Sequence, residues 1–154
     1  MYKNLEKLRE DWGEYNAAEC ATEADIAAFE QRTGLLIPED LRAYFKTLNG
    51  NNNNWDKYLV EFYSLNQFLS VYDEVGDFCG VPDFTNIVNT LPDHEYYYVF
   101  ANYSIHVFVY AIRLSKIRTN VNEIYIICGD KYKLVANSFD EYIGKYVNEI
   151  DNYF

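Results

Sequence analysis

The chain has 154 residues, of which 49% are hydrophobic and 18% aromatic, and its 13 basic and 24 acidic residues give a net charge of −11. This length suits one domain spanning residues 1–154, and the negative charge argues against binding to nucleic acid, whose phosphates are neutralised by Lys and Arg. No apolar run reaches the roughly 18 residues of a membrane span, and residues 1–20 lack the apolar core of a signal peptide, so we expect a cytoplasmic protein.

Three amphipathic helices are predicted in the first 50 residues. In each, apolar residues recur at the spacing of one helix face, and each ends near a residue that adopts the left-handed conformation easily. A threonine that can cap a helix precedes the second predicted helix, and a proline, which is favourable at a helix start, begins the third. The predicted helices begin near Leu5, Thr22 and Pro38, and end near Gly13, Gly34 and Asn49-Gly50.

Four asparagines follow at residues 51–54. They carry no apolar side chain to bury, so the sequence predicts a surface loop. Trp55, Asp56 and Tyr58 come next, and two interpretations of them stay open. The two rings could anchor an interface, as Trp and Tyr often do, or the asparagines could be an idle insertion and Trp55 could pack into the core.

The middle of the chain mixes strand and helix patterns. An aromatic run around residues 58–64 predicts a short strand, and the apolar positions of residues 65–72 return to helical spacing. Residues 73–95 are acidic and hold two glycines and two prolines. Within them, the apolar spacing over residues 84–91 favours a short helix over a packed loop.

The last third predicts a sheet followed by a helix. Four β-rich runs occupy residues 96–103, 105–114, 123–128 and 132–136. The first two are apolar on both faces and are therefore central, and Gly129-Asp130-Lys131 suits a tight hairpin. Ser138 and Glu141 form a capping-box pattern ahead of helical spacing that continues to Ile150. This order predicts an α+β fold, a mostly antiparallel sheet with N-terminal helices and a C-terminal helix packed against it.

Motifs for catalysis or metal binding are absent from the sequence. There is no nucleophile elbow, phosphate-binding loop, dinucleotide fingerprint or zinc-protease motif, and no Ca²⁺-loop pattern. The three cysteines lie too far apart in sequence to suggest a disulfide framework or a zinc site. The sequence contains His94 in an acidic loop and His106 in a predicted strand. We therefore expect no enzyme, cofactor or metal; the alternative is a small hydrolase that uses His106 and a nearby carboxylate.

Negative charge is concentrated in the middle of the chain. No basic residue occurs between Lys57 and Arg113, whereas seven acidic residues do. Such a segment either forms a solvated surface or meets a cationic partner. The candidate partner-binding residues are Trp55, Asp56, Tyr58, Glu61, Asp73, Glu74, Asp77, Asp83, Asp93 and Glu95.

An ordered set of short stretches resembles the SUKH superfamily, the cell-wall glucan-synthesis-regulator-like family. The likeness covers about residues 20–150. Its parts are TEADIAAFE at 22–30, GLLIPEDLRAYFKTLNG at 34–50, FYSL at 62–65, VFANY at 99–103 and ANSF at 136–139.

This resemblance implies a bacterial immunity protein that binds a toxin domain and blocks it without catalysis. Many toxins of such systems are nucleases, whose basic surfaces would attract an acidic partner. The hypothesis is therefore a cationic nuclease-type toxin as partner, with no role for nucleic acid or a membrane. Because the fungal relatives regulate cell-wall synthesis and signalling, a regulatory scaffold remains the other alternative.

Overall fold

The computed structural model describes residues 2–13 and 19–149. No helix in this part of the chain is both long and apolar enough to cross a membrane. The helices are α1 (Lys3–Trp12), α2 (Glu23–Thr33), α3 (Glu39–Thr47), α4 (Val71–Val75), α5 (Ile87–Thr90) and α6 (Phe139–Glu149), and the strands are β1 (Val60–Phe62), β2 (Leu69–Ser70), β3 (Tyr97–Tyr103), β4 (Phe108–Arg113), β5 (Ile124–Cys128) and β6 (Lys131–Ala136). Ile150, the last position of the predicted C-terminal helix, lies outside the described residues.

All strand pairings among the six strands are antiparallel, in the order β1-β3-β4-β5-β6, with β2 pairing beside β1 on β3. Strands β3 and β4 are central, because side chains on both of their faces are buried. The predicted α+β fold is confirmed.

Helices α1, α2, α3 and α6 cover the first face of the sheet. Side chains that alternate along β3 and β4 enter this core, among them Phe100 and Tyr110. The Phe100 ring lies 5.3 Å from Phe139 and 5.1 Å from Tyr142 of α6, both edge to face. Burying one such ring contributes about 1.5–3 kcal/mol, so this aromatic layer is a large part of the stabilisation of the fold.

The acidic segment covers the second face. Its apolar residues form a separate core with the alternate side chains of β3, β4 and β5. That core comprises Tyr63, Val71, Val75, Phe84, Ile87, Leu91, Tyr97, Val99, Val109, Ala111 and Ile127. Because the apolar positions of the segment face the sheet, its carboxylates are left on the outside or at the margin. The segment is therefore anchored to the sheet by packing.

Most predicted helix ends are confirmed by their caps. The Thr22 hydroxyl accepts from the Asp25 amide at 3.1 Å, and the Asp25 carboxylate accepts from the Thr22 amide at 2.8 Å. Asn49 and Gly50 adopt φ values of 56° and 88°. A Cβ on Gly50 would lie 2.9 Å from a carbonyl oxygen of β1, so this position requires glycine. At α6 the Ser138 hydroxyl accepts from the Glu141 amide at 3.1 Å.

Two predictions in the middle of the chain need correction. The helix predicted over residues 65–72 is wrong: a 3-10 turn (Leu65–Gln67) is followed by β2, whose backbone bonds to β3, and only then by α4. Pairing with a distant strand outweighs helical spacing here. The helix favoured over 84–91 exists only as the single turn α5.

The asparagine run is not wholly a surface loop, because Asn51 is buried. Its side-chain amide donates to the Val60 carbonyl at 3.2 Å, and its side-chain oxygen accepts from the Phe62 amide at 3.0 Å. Its backbone amide donates to the Phe62 carbonyl at 3.4 Å. Asn51 therefore occupies the outward hydrogen-bonding groups of β1 and closes that edge of the sheet.

The opposite edge is formed by β6, which pairs on one side with β5 and has no strand on its other side within the described residues. Lys131 and Lys133 are exposed along it. Lysines on a sheet edge disfavour further strand pairing.

We predict that Asn51→Ala lowers the free energy of unfolding by about 1–3 kcal/mol, because the substitution removes two hydrogen bonds and leaves the buried Phe62 amide of β1 without a partner. Asn54→Ala is the matched control, since Asn54 is exposed and its side chain makes no hydrogen bond among the described residues. We expect a change within about 0.5 kcal/mol for this control. Urea unfolding measures both, and equal effects would contradict the role of Asn51.

Candidate functional site

A buried amide in β3 is the centre of the candidate site. Asn102 is 3% exposed and lies on the second face of an otherwise apolar strand. Its side-chain nitrogen donates to the Tyr63 hydroxyl at 2.9 Å and to Glu61 Oε1 at 3.2 Å. Its oxygen accepts from the His106 amide at 3.4 Å. Asn102 thus ties β1 and the β3–β4 turn to the central strand.

The same network reaches the acidic helix α4. The Tyr63 hydroxyl donates to Glu74 Oε1 at 2.6 Å, and His106 Nε2 lies 3.0 Å from the same oxygen. The imidazole stacks on the Phe78 ring at 5.2 Å. Burial first, and then the Glu74 carboxylate, raise the pKa of Tyr63 far above that of an exposed tyrosine. Tyr63 is therefore a firm hydrogen-bond donor.

His106 does not lie in a strand as predicted, because β4 begins only at Phe108. Ser104, Ile105 and His106 form the β3–β4 turn with φ values of 42°, 57° and 60°. Three consecutive left-handed residues without a glycine or an asparagine give no sequence signal for this turn, which is why the strand was predicted too long.

The asparagine loop joins the network through Gln67. The Gln67 side-chain nitrogen donates to Asn53 Oδ1 at 2.7 Å and to Glu61 Oε2 at 3.4 Å. Loop, β1, β3, α4 and the β3–β4 turn are therefore connected by side-chain hydrogen bonds. The acidic helix α4 and the asparagine loop are thereby held in fixed positions relative to β1 and β3.

Of the predicted residues Trp55, Asp56 and Tyr58, Trp55 is exposed and the other two are partly buried. Trp55 is 48% exposed, so the alternative that it packs into the core is wrong. It borders a cleft of about 450 Å³ that also touches Trp12 and Lys57. The Asp56 carboxylate accepts from the amides of Tyr58 and Val60 and from the Tyr146 hydroxyl, and burial raises the pKa of Asp56.

The predicted acidic residues fall into two regions. Glu61 and Glu74 bond to the network, Asp73 is exposed on α4 near Tyr98 of β3, and Asp77 is exposed just after α4 and next to Phe78. Among the described residues, no Lys, Arg or His lies within 4 Å of the carboxylates of Glu61, Asp73, Asp77 or Asp83.

Asp83 is at the same end of the sheet, beside Gly129 of the β5–β6 hairpin, whereas Asp93 and Glu95 lie at the opposite end. The Asp83 carboxylate accepts from the Thr85 amide at 2.9 Å, and this bond lowers the pKa of Asp83. Asp93 accepts from both terminal nitrogens of Arg113 at 3.2 Å. Arg113 is at the end of the sheet opposite the β3–β4 turn, so Asp93 and Glu95 do not join the other carboxylates.

The described residues offer no cluster of side chains suited to a metal ion. No group of three or more His, Cys, Asp or Glu side chains in this part of the chain is arranged to hold an ion. Cys20, Cys79 and Cys128 are exposed free thiols.

The sequence did not identify Tyr63 and Asn102 as part of the site. One signal was available: a buried amide inside an apolar strand requires partners from other elements. That requirement does not reveal which elements supply them.

The sequence model of the SMI1 / KNR4 family (SUKH-1) matches residues 20–145. A search of curated proteins gave no match. The matched residues include β1, α4, the β3–β4 turn and thus the whole network around Asn102.

The network predicts an alkaline loss of stability. Because the pKa of Tyr63 is raised in the folded protein, the stabilisation from its bound proton is complete below about pH 10 and is lost as the pH rises above it. Tyr63→Phe removes the hydroxyl, which should lower the free energy of unfolding near neutral pH by about 1–3 kcal/mol and weaken its decline above pH 10. Urea unfolding between about pH 8 and pH 11 measures both effects. If the free energy of unfolding declines equally above about pH 10 in the wild type and in Tyr63→Phe, the proton of Tyr63 does not stabilise the fold.

Proposed function

The chain belongs to the SMI1 / KNR4 family (SUKH-1), and from this membership and its acidic surface we propose that it is a bacterial immunity protein. In this proposal it acts in the cytoplasm as one domain, binds a toxin domain and blocks it without catalysis or a cofactor. The partner is a cationic protein, and nucleic acid and membranes are not ligands.

The observation that carries the proposal is the set of carboxylates at the Asn102 network and on or just after α4. Asp73 and Asp77 are exposed and Glu61 is half-buried, and within the described residues none of them has a cationic neighbour within 4 Å. Unpaired carboxylates on one surface create a negative potential that accelerates encounter with a positive partner. Glu74 lies behind them and holds α4 in place through Tyr63 and His106.

A nuclease-type toxin fits this surface. Nucleases bind phosphates with Lys and Arg, and a protein that covers those side chains with carboxylates competes directly with the nucleic acid. The net charge of −11 favours approach to such a protein from any direction. Trp55 is half-exposed beside a cleft that also touches Trp12 of α1, and it offers a ring of the kind that is common at interface centres.

The direct test uses the toxin domain encoded by the neighbouring gene. The two proteins are co-expressed, growth is scored, and the purified proteins are mixed and examined by size-exclusion chromatography. The proposal expects rescue of growth and a stable complex. Absence of both would overturn it.

We predict that reversing Asp73 and Asp77 to lysine slows association with this toxin by about 10–100-fold at low salt and flattens its salt dependence. Glu74 is left unchanged, because its carboxylate is a partner of His106 and its loss would alter the fold. The matched control reverses Glu6 and Glu10, which are exposed on α1 across the sheet and change the net charge equally. Stopped-flow kinetics compares the variants, and equal slowing in both would place the interface elsewhere.

A small hydrolase is the second candidate, since His106 does lie 3.0 Å from a carboxylate, Glu74. The geometry disfavours catalysis. The hydroxyl beside the imidazole belongs to Tyr63, whose raised pKa keeps it protonated and a poor nucleophile. The imidazole also stacks on Phe78, which restricts its movement.

We predict that His106→Ala lowers the free energy of unfolding by about 1–3 kcal/mol, because Glu74 loses a partner. Urea unfolding and an esterase and phosphatase screen test this structural role of His106 together. A hydrolytic rate that disappears in a folded His106→Ala protein would establish the enzyme instead.

A further inference from the structure

Three apolar side chains are exposed together at the end of the sheet that carries the network. Ile105 is 70% exposed, Leu59 44% and Val107 40%. The Ser104 amide donates to the Leu59 carbonyl at 3.0 Å, and the Val107 amide donates to the Tyr103 carbonyl at 3.0 Å. These bonds hold the turn before β1 against the β3–β4 turn. We name Leu59, Ile105 and Val107 the tip patch.

Two of the three residues adopt a backbone conformation that is unfavourable for them. Leu59 has a φ of 62° and Ile105 a φ of 57°. A bulky or β-branched residue at positive φ is an outlier, whereas glycine or asparagine would adopt it readily. Such outliers persist where the surrounding structure enforces them, and they concentrate at binding sites. The side chain of Ile105 buries little surface in the protein, so folding alone does not account for it.

Two carboxylates lie beside the tip patch. Glu61 is on the strand that begins next to Leu59, and Asp77 precedes Phe78, whose ring stacks on His106 of the same turn. Protein interfaces commonly have an apolar centre that is fully desolvated and a polar rim that remains wet. The tip patch and its carboxylates match this arrangement, and the rim complements Lys and Arg.

We propose that the tip patch is the centre of the interface with the toxin, and that it receives an apolar side chain flanked by basic residues. This inference rests on the proposed function. It assigns affinity to Leu59, Ile105 and Val107 and assigns the rate of association to the carboxylates around them.

The test compares two isoleucines of equal exposure. Ile105→Ala should raise the dissociation constant for the toxin domain encoded by the neighbouring gene by about 30-fold or more, as expected for an interface centre. Ile117→Ala is the control, because Ile117 is 69% exposed in the loop between β4 and β5, at the other end of the sheet. We expect its dissociation constant to stay within about twofold of wild type.

A second variant separates binding from folding. Ile105→Gly relieves the strained φ and removes the same side chain, so it should raise the midpoint of urea unfolding while weakening binding as much as Ile105→Ala does. A gain in stability together with a loss of affinity cannot result from misfolding.

The outcomes distinguish the two proposals. A wild-type complex that Ile105→Ala and Ile105→Gly leave equally tight overturns the tip patch and keeps the proposed function. A wild-type protein that neither binds nor neutralises the toxin overturns both. If Ile105→Ala and Ile117→Ala weaken binding to the toxin equally, the tip patch is also rejected as the centre of the interface.

Discussion

A buried amide must find hydrogen-bond partners, and in this protein Asn102 satisfies that requirement by joining parts of the chain that are far apart in sequence. It bonds to Tyr63 and Glu61, and to the backbone of His106. Through Tyr63 the same set of bonds fixes Glu74 and hence the acidic helix. Position and orientation of the candidate surface therefore depend on one polar residue in an aromatic sheet.

The chain divides its acidic residues between structural and exposed roles. Both carboxylate oxygens of Asp56 and one of Glu74 are engaged inside the protein, whereas Asp73 and Asp77 are exposed to solvent. The exposed pair needs no internal cation because water solvates it. The proposed surface thus combines a fixed framework with charges that are free to meet a partner, and the tip patch contributes the desolvated contact.

Locally determined features were predictable from the sequence. The first three helices and the β5–β6 hairpin follow from apolar periodicity, capping residues and turn glycines, and the structure confirms them. Features that depend on residues distant in the sequence could not be predicted in this way. Residues 65–72 pair with β3, and Asn51 finds its acceptors on β1. The sequence states how many carboxylates the chain has, but their positions depend on how α4 packs. Asp93 is neutralised by Arg113, which comes from a later strand.

The two edges of the sheet are protected from further strand pairing in different ways. Asn51 and Asp56 occupy the outer backbone groups of β1, while β6 keeps its outer side open behind Lys131 and Lys133. If two copies aligned these strands antiparallel, lysines would face each other across the junction, which is destabilising. Growth of a continuous intermolecular sheet, the first step towards fibrils, is therefore opposed at both ends by different means: hydrogen-bond saturation at one and like-charge repulsion at the other.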